Sequence, residues 1–193
     1  MEVMDVTLRD GSYAMNFQFS KSETQNICTG LGEAGIKYVE IGHGLGLRAN
    51  SPEYGVAACS DWEYIDAAKS ASNEIKIGVF CIPGIAEVND VTESAKHGCS
   101  FIRVGTNVEN VEMSQPYIEA AKECGLEVMA NYMKSYTATE TEFAEKVRKS
   151  MLYGADVVYI VDSAGGMYSE DVQKYIHVMN RKNLCYLHFI DNK

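Results

Sequence analysis

The sequence predicts a single α/β domain over residues 1–193, in which helices cover a parallel sheet. Three observations support this fold class. Short apolar runs rich in β-branched residues alternate with longer amphipathic segments along the chain. The runs are mostly apolar, as is typical of parallel strands that are buried on both faces. With 46% hydrophobic and 23% charged residues, the chain can also bury the core that such a fold requires.

The alternation also gives the order of the elements. About seven strands are predicted, at Val3–Leu8, Tyr38–Ile41, Ile75–Cys81, Phe101–Val104, Leu126–Asn131, Val157–Val161 and Leu184–Phe189. Helices are predicted near Lys21–Ala34, Trp62–Ala71, Glu87–His97, Ser114–Cys124, Glu140–Tyr153 and Ser169–Asn180. Ser20 and Ser169 are the predicted N-caps of the first and last helices, and Glu23 completes a capping box with Ser20.

Two architectures fit this order, an open doubly wound sheet and a barrel. The first predicted helix does not open with G-x-G-x-x-G, which disfavours a dinucleotide-binding domain. The long segment between Gly42 and Asp61 is predicted to be a functional loop, because long βα loops in compact domains usually carry function.

Composition excludes several classes of protein. The formal net charge is −10 and the basic residues are scattered, so the chain would repel a nucleic-acid backbone. No apolar stretch approaches the roughly 18 residues of a membrane span. The six cysteines form no C-x-x-C pair, which favours reduced cysteines in a cytoplasmic protein.

Polar residues follow the predicted strands at their carboxyl ends, where parallel α/β folds assemble their chemistry. Asp10 and His188 could place one oxygen and one nitrogen on a divalent metal, since mixed ligand sets suit Mn, Zn, Fe or Mg. The alternatives are that Asp10 is a turn residue before Gly11, and that His188 and His43 are structural.

Two other positions indicate an anion. Arg9 follows a buried strand and needs an anionic partner, which is either a substrate or a carboxylate such as Glu40 or Asp162. Ser163 begins either an anion-cradling turn ahead of the last helix or a plain turn.

Taken together, six segments resemble the DRE-TIM metallolyase superfamily, and within it the 4-hydroxy-2-oxovalerate aldolase branch. They are DVTLRDG (5–11), VEIGHGLGL (39–47), SPEYG (51–55), SDWEYI (60–65), PGI (83–85) and DSAGGM (162–167). The resemblance covers the whole chain, in the order and at the separations seen in the family. It implies a TIM (β/α)8-type barrel that uses Mn²⁺ or Mg²⁺ to cleave 4-hydroxy-2-oxo acids into pyruvate and an aldehyde.

The resemblance also assigns expected roles. Asp10 would be a metal ligand, and His188 would match the first histidine of the family's H-x-H metal pair. Arg9 would stabilise the pyruvate enolate as a fixed cation, while Ser163 would help to hold the substrate carboxylate. Tyr13 and His43 join Arg9 as candidate catalytic residues.

Three departures from the family pattern bear on these roles. The second histidine of the H-x-H pair is Ile190 here, and isoleucine cannot ligate a metal. Tyr13 occupies the position of a family histidine regarded as the acid/base. The sequence also stops directly after the seventh predicted strand, so we expect a truncated, incomplete barrel. A partner chain, such as an aldehyde dehydrogenase subunit, or self-association would then cover its exposed edges.

Two alternatives to the aldolase reading stay open. The acyl-CoA branch of the superfamily, which includes 3-hydroxy-3-methylglutaryl-CoA lyase and the isopropylmalate and citramalate synthases, shares the Arg-Asp-Gly start. The segment at His43 and the helix start at Asp61 favour the aldolase branch. The chain could also be an inactive barrel fragment that acts through assembly.

Overall fold

The computed structural model describes residues 3–71, 74–181 and 187–191, the last range for its backbone only. Seven parallel strands form one sheet in chain order. The strands are β1 (Met4–Asp5), β2 (Tyr38–Ile41), β3 (Lys76–Cys81), β4 (Phe101–Asn107), β5 (Glu127–Met133), β6 (Val157–Asp162) and β7 (Leu187–Asp191). The helices are α1 (Lys21–Glu33), α2 (Asp61–Lys69), α3 (Val88–His97), α4 (Gln115–Glu123), α5 (Glu140–Tyr153) and α6 (Ser169–Arg181).

The sheet is strongly curled. The Tyr38 hydroxyl on β2 lies 3.1 Å from the Glu127 carboxylate on β5. Neighbouring strands are about 4.8 Å apart, so these two strands would be separated by roughly 14 Å in a flat sheet. Because the side chains nevertheless touch, the inner faces of the strands must turn toward one another. The fold is therefore an incomplete TIM-barrel-like α/β fold, and the predicted fold class is confirmed.

The two faces of the sheet bury different side chains. The outer face is aliphatic and packs beneath the helices, with Val39, Ile77, Ile102, Val128 and Ile160 all buried. The inner face forms a smaller cluster of bulkier side chains, which are Phe101, Met129, Val157, Tyr159 and Val161. Strand alternation thus divides each strand between a helix-covered core and the barrel interior.

The first strand departs most from its prediction. It covers Met4–Asp5 rather than Val3–Leu8, because the chain turns at Val6. The carbonyl of Val6 accepts hydrogen bonds from the N–H groups of Arg9 and Asp10, at 3.0 and 2.8 Å. A 3-10 helix, Asp10–Met15, follows at once. This turn brings Arg9 and Asp10 to the carboxyl edge of the sheet.

The remaining elements agree with the predictions apart from their ends. Strands β4 and β5 extend to Asn107 and Met133, beyond the predicted ends. Residues 184–186 of the last predicted strand lie outside the described residues, and β7 covers Leu187–Asp191.

The two predicted N-caps have different outcomes. The capping box of Ser20 and Glu23 is confirmed, with the Ser20 N–H 2.8 Å from Glu23 Oε2. The prediction for Ser169 is wrong, since that residue already belongs to α6. Tyr168 precedes the helix instead, and its N–H donates to Asp171 Oδ2 at 3.1 Å. Asp171 thus accepts from the N–H of the residue that precedes the helix, whereas a serine N-cap would accept from an N–H inside the helix.

No helix in the described part of the chain is long and apolar enough to cross a membrane. Among the cysteines described, Cys28, Cys59, Cys81 and Cys99 are buried and Cys124 is exposed, all as free thiols.

Candidate active site

A cleft of about 170 Å³ opens at the carboxyl edge of the sheet. Loops after β1, β2 and β3 form one side, and side chains of β4, β5 and β6 form its inner wall. Its lining residues are Arg9, Asp10, Tyr13, Gly44, Leu45, Phe80, Ile82, Arg103, Asn131, Met133 and Val161. Three of the predicted site residues, Arg9, Asp10 and Tyr13, therefore meet in one cleft.

A buried carboxylate joins two guanidinium groups that line this cleft. Glu40, whose side chain has no exposed surface, accepts from Arg9 Nε at 2.6 Å. It also accepts from Arg103 Nε at 2.8 Å and from Arg103 Nη2 at 2.5 Å. Of the two carboxylates suggested as protein partners of Arg9, Glu40 is thus the one that pairs with it. Its two-pronged bond to Arg103 is the strong geometry for an arginine and a carboxylate.

The arginines decide the charge state of Glu40. Burial opposes its ionisation, but the charges of Arg103 and Arg9, together with their hydrogen bonds, hold its pKa below the usual range. Burial opposes the charge on Arg103 too, yet Glu40 keeps the pKa of that guanidinium raised. Glu40 and Arg103 are therefore both ionised at neutral pH.

Aromatic rings and one amide hold the guanidinium groups in place. The Phe80 ring lies 4.8 Å from the Arg9 guanidinium and 5.1 Å from that of Arg103. The Tyr159 ring lies 5.4 Å from the Arg103 guanidinium. Asn131 Oδ1 accepts from Arg103 Nη1 at 3.3 Å. Cation–π contacts of this kind stabilise a charge without consuming its N–H groups.

Asp10 lies at the rim of the cleft. Its carboxylate accepts from Arg9 Nη1 at 2.8 Å, and 54% of its side-chain surface is exposed. The other predicted metal ligand, His188, has its side chain outside the described residues. Its backbone pairs in β7 with Tyr159 of β6, and Ile190 pairs with Val161. Within the described residues, no three His, Cys, Asp or Glu side chains are grouped so that they could hold a metal.

Tyr13 stands at the mouth of the cleft. Its ring packs against the backbone of Gly44, where an added Cβ would lie 2.5 Å from a ring carbon. The Phe17 ring contacts it edge-on at 5.2 Å. Burial is the main reason that the pKa of Tyr13 is raised, although Arg9 opposes the rise. Tyr13 is therefore a protonated phenol at neutral pH, able to donate but not to act as a base.

His43 is buried within the loop that joins β2 to α2. Its Nδ1 accepts from the Leu45 N–H at 3.2 Å, so its Nε2 carries the hydrogen that bonds to the Gly55 carbonyl at 3.1 Å. Its ring stacks on Phe17 at 3.9 Å. Burial lowers the pKa of this imidazole, which is neutral at pH 7. Both ring nitrogens thus hold the loop, and His43 is not among the residues that line the cleft.

The turn after β6 binds a carboxylate of the chain itself, that of Asp162. Asp162 Oδ2 accepts from the Met167 N–H at 2.7 Å. Burial opposes its charge, but backbone N–H groups of the turn keep the pKa of Asp162 lowered. Ser163 is exposed, and its hydroxyl accepts from the Lys134 N–H at 3.0 Å. The turn thus binds Asp162 Oδ2, whereas Oδ1 is buried without a hydrogen-bond partner among the described residues.

Sequence reasoning did not select Arg103, Asn131 or Phe80 as site residues. Arg103 and Asn131 offered one signal, which was a charged or amide side chain within a mostly apolar strand, whereas Phe80 offered none. Such a residue must find a polar partner on the inner face. The partner of Arg103 is Glu40, 63 residues away in the chain, and nothing local in the sequence identifies that pairing.

The fold and the cleft together define an incomplete TIM-barrel-like domain with a charged site at the carboxyl edge of its strands. The chain belongs to the HMGL-like family, whose model matches residues 1–187. The predicted membership of the DRE-TIM superfamily is thereby confirmed.

The curated relatives that match this chain are named 4-hydroxy-2-oxovalerate aldolases. The 4-hydroxy-2-oxovalerate aldolase of Geobacillus thermodenitrificans is 36% identical over 179 residues, which are 93% of this chain and 52% of the relative. That of Pelotomaculum thermopropionicum is 37% identical over 176 residues, which are 91% of this chain and 52% of the relative. The chain thus spans about half the length of the curated relatives that it matches.

Solved structures support the fold. The carboxyl transferase domain of Rhizobium etli pyruvate carboxylase superimposes with a TM-score of 0.80 at 15% identity, covering 97% of this chain and 34% of that one. The same domain with pyruvate and biocytin gives a TM-score of 0.79 at 15% identity, over 97% of this chain and 35% of the other. Identity at this level bears on the fold alone.

Proposed function

We propose that this chain supplies the site of a divalent-metal-dependent lyase, which cleaves 4-hydroxy-2-oxo acids to pyruvate and an aldehyde through a pyruvate enolate. The observation that carries the proposal is the Arg9 guanidinium, held by Glu40 inside the cleft and beside Asp10. A cation fixed before the reaction begins stabilises the negative charge that develops on an enolate oxygen. The names of the relatives supply the substrate class.

The metal would be Mn²⁺ or Mg²⁺. Asp10 fits such an ion, since its carboxylate is an exposed hard oxygen donor at the rim of the cleft. His188 is the second proposed ligand, and substrate and water would complete the coordination. Once bound, the ion would act as a Lewis acid toward the 2-oxo group.

The chain's own residues would carry the other tasks. Arg9 would bind the 2-oxo oxygen and orient the substrate. The protonated Tyr13 would donate a hydrogen bond, or its proton, to an oxygen at the mouth of the cleft. Ser163 would help to hold the substrate carboxylate from the rim. For His43 we propose a role in catalysis through the loop that carries Gly44, because its ring nitrogens bond to that loop.

We further propose a cytoplasmic location and a partner, either a second copy of the chain or an aldehyde dehydrogenase subunit. The family resemblance supports both suggestions. Size-exclusion chromatography with multi-angle light scattering, with and without the dehydrogenase, would measure the assembly. A monomer in both cases would overturn the partner proposal.

Exchange of the C3 protons of pyruvate with deuterium, followed by NMR with Mn²⁺, tests the proposed function directly. We expect exchange in the wild-type chain, and a fall of about 10²- to 10³-fold on Arg9→Met, as when one fixed donor to an oxyanion is lost. Arg148→Met removes a guanidinium that is 56% exposed on α5 and serves as the matched control.

The outcomes separate the proposals. No exchange in the wild type together with no bound metal would favour an inactive fragment that acts through assembly. Exchange with an acyl-CoA substrate but not with pyruvate would favour the other branch of the family.

A further inference from the structure

The buried layer of the cleft contains more positive than negative charge. Glu40 is the only fully buried carboxylate among the described cleft contacts of Arg9 and Arg103. Asp10, the other acid beside Arg9, is more than half exposed and is screened by water. Arg9 by itself would neutralise Glu40. The second guanidinium is balanced only by Asp10, whose exposed carboxylate contacts Arg9 at 2.8 Å, and a buried charge that is compensated only from the solvent-exposed rim is costly.

Arg103 also keeps unused donors. Its described hydrogen bonds use Nε, Nη1 and Nη2 once each. A guanidinium carries more N–H groups than these three contacts use, so at least one on each terminal nitrogen is left. The Asn131 side chain accepts from Nη1 through its oxygen, which leaves its NH₂ group to donate elsewhere. Both residues line the cleft.

We propose that Arg103 and Asn131 form an anion subsite that binds the carboxylate of the 2-oxo-acid substrate at the inner wall of the cleft. The subsite rests on the proposed function, whose substrate it would select. Arg9, whose guanidinium contacts the same Phe80 ring as Arg103, remains available to the 2-oxo oxygen. Glu40 bonds to both guanidinium groups and fixes the separation between the two oxygen-binding positions. This arrangement selects a carboxylate next to a carbonyl over a neutral molecule of the same shape.

Asn131→Asp tests the subsite without creating a cavity. The aspartate has the shape of asparagine and can still accept from Arg103 Nη1, but it places a negative charge beside that guanidinium. The variant should remain folded, because the new carboxylate faces an existing cation. It should nevertheless repel a second anion from the same place. Asn89→Asp, on the exposed first turn of α3, adds the same charge away from the cleft and is the matched control.

Calorimetric titration with pyruvate in the presence of Mn²⁺ measures the effect, and pyruvamide is the neutral comparison. We expect pyruvate affinity to fall roughly tenfold to a hundredfold in Asn131→Asp, as for a lost charge-assisted hydrogen bond. Pyruvamide binding should change much less, and Asn89→Asp should match the wild type. Unchanged pyruvate affinity in Asn131→Asp would overturn the subsite, as would a wild-type chain that does not distinguish pyruvate from pyruvamide.

Deuterium exchange in the same samples separates this inference from the proposed function. Discrimination against pyruvamide that Asn131→Asp abolishes, in a chain that shows no exchange, supports the subsite and overturns the lyase. Exchange with the same KM for pyruvate in the wild type and in Asn131→Asp supports the lyase and overturns the subsite.

Discussion

The inner face of the sheet carries two carboxylate clusters whose surroundings differ sharply. At the carboxyl edge, Glu40 is fully buried and binds Arg9 and Arg103. At the opposite end, where the strands begin, Glu127 binds Lys76 at 2.8 Å and the Tyr38 hydroxyl. The side chains of Glu127 and Lys76 are 28% and 49% exposed. Tyr38 and Glu127 also line an open cavity of about 520 Å³.

The comparison shows that access to solvent, more than pairing, sets what each cluster can do. Water can hydrate Glu127 and Lys76 when their contact breaks, so that pair contributes little to stability. Water does not reach Glu40, so protein or ligand groups must compensate the charges around it. The carboxyl edge of the inner face, where Glu40 is buried, is accordingly the end where a fixed charge can recognise a substrate.

The largest expected effect is that of Glu40→Gln. Removing this charge leaves two buried guanidinium groups facing each other, so the free energy of unfolding should fall by about 3–5 kcal/mol. That loss is a large part of the about 5–15 kcal/mol that stabilises a typical domain. Urea unfolding followed by circular dichroism at pH 7 measures it.

Glu127→Gln is the matched variant at the open end of the inner face. It should cost about 0–1 kcal/mol, because the pair that it breaks is partly exposed. Equal losses in the two variants would show that burial does not distinguish the clusters, and would contradict the comparison.

A smaller effect is expected from Ile102→Val, on the outer face next to Arg103 in β4. Ile102 is fully buried beneath the helices, and the loss of one methylene group should cost about 0.5–1.5 kcal/mol. Pyruvate binding should stay unchanged, since the inner face is untouched. A clear loss of pyruvate affinity by calorimetry would mean that the charged cluster responds to any disturbance of its strand.

The last expected effect depends on pH and comes from the protonation of His43. Its folded pKa lies below its ordinary value near 6.5, so the unfolded chain takes up a proton that the folded chain refuses. Stability is therefore fully present above about pH 6.5 and declines as the pH falls toward the folded pKa. The slope is at most about 1.4 kcal/mol per pH unit for one proton.

His43→Gln removes this titration while keeping a donor for the Gly55 carbonyl. Urea unfolding at several pH values between 7.5 and 5 should show the stability gap between wild type and variant narrowing as the pH falls. A gap that stays constant over that range would contradict a neutral, buried imidazole.

Sequence reasoning predicted the α/β class and the position of Arg9 and Asp10 because those features are local or repeat regularly. It was wrong about the length of the first strand, since the turn at Val6 depends on three N–H groups meeting one carbonyl. It left open whether Ser163 begins an anion-cradling turn or a plain turn. In the structure the turn binds the carboxylate of Asp162, one residue earlier, and this contact depends on where the turn folds back.

By itself, the sequence determined the alternation of strands and helices, the capping box at Ser20 and the family to which the chain belongs. These features depend on residue types and spacings along the chain. Only the tertiary structure decided that Arg103 shares Glu40 with Arg9, and that His43 is bound to its own loop. Such contacts join residues far apart in sequence, and their strength comes from burial, which exists only once the sheet has curled.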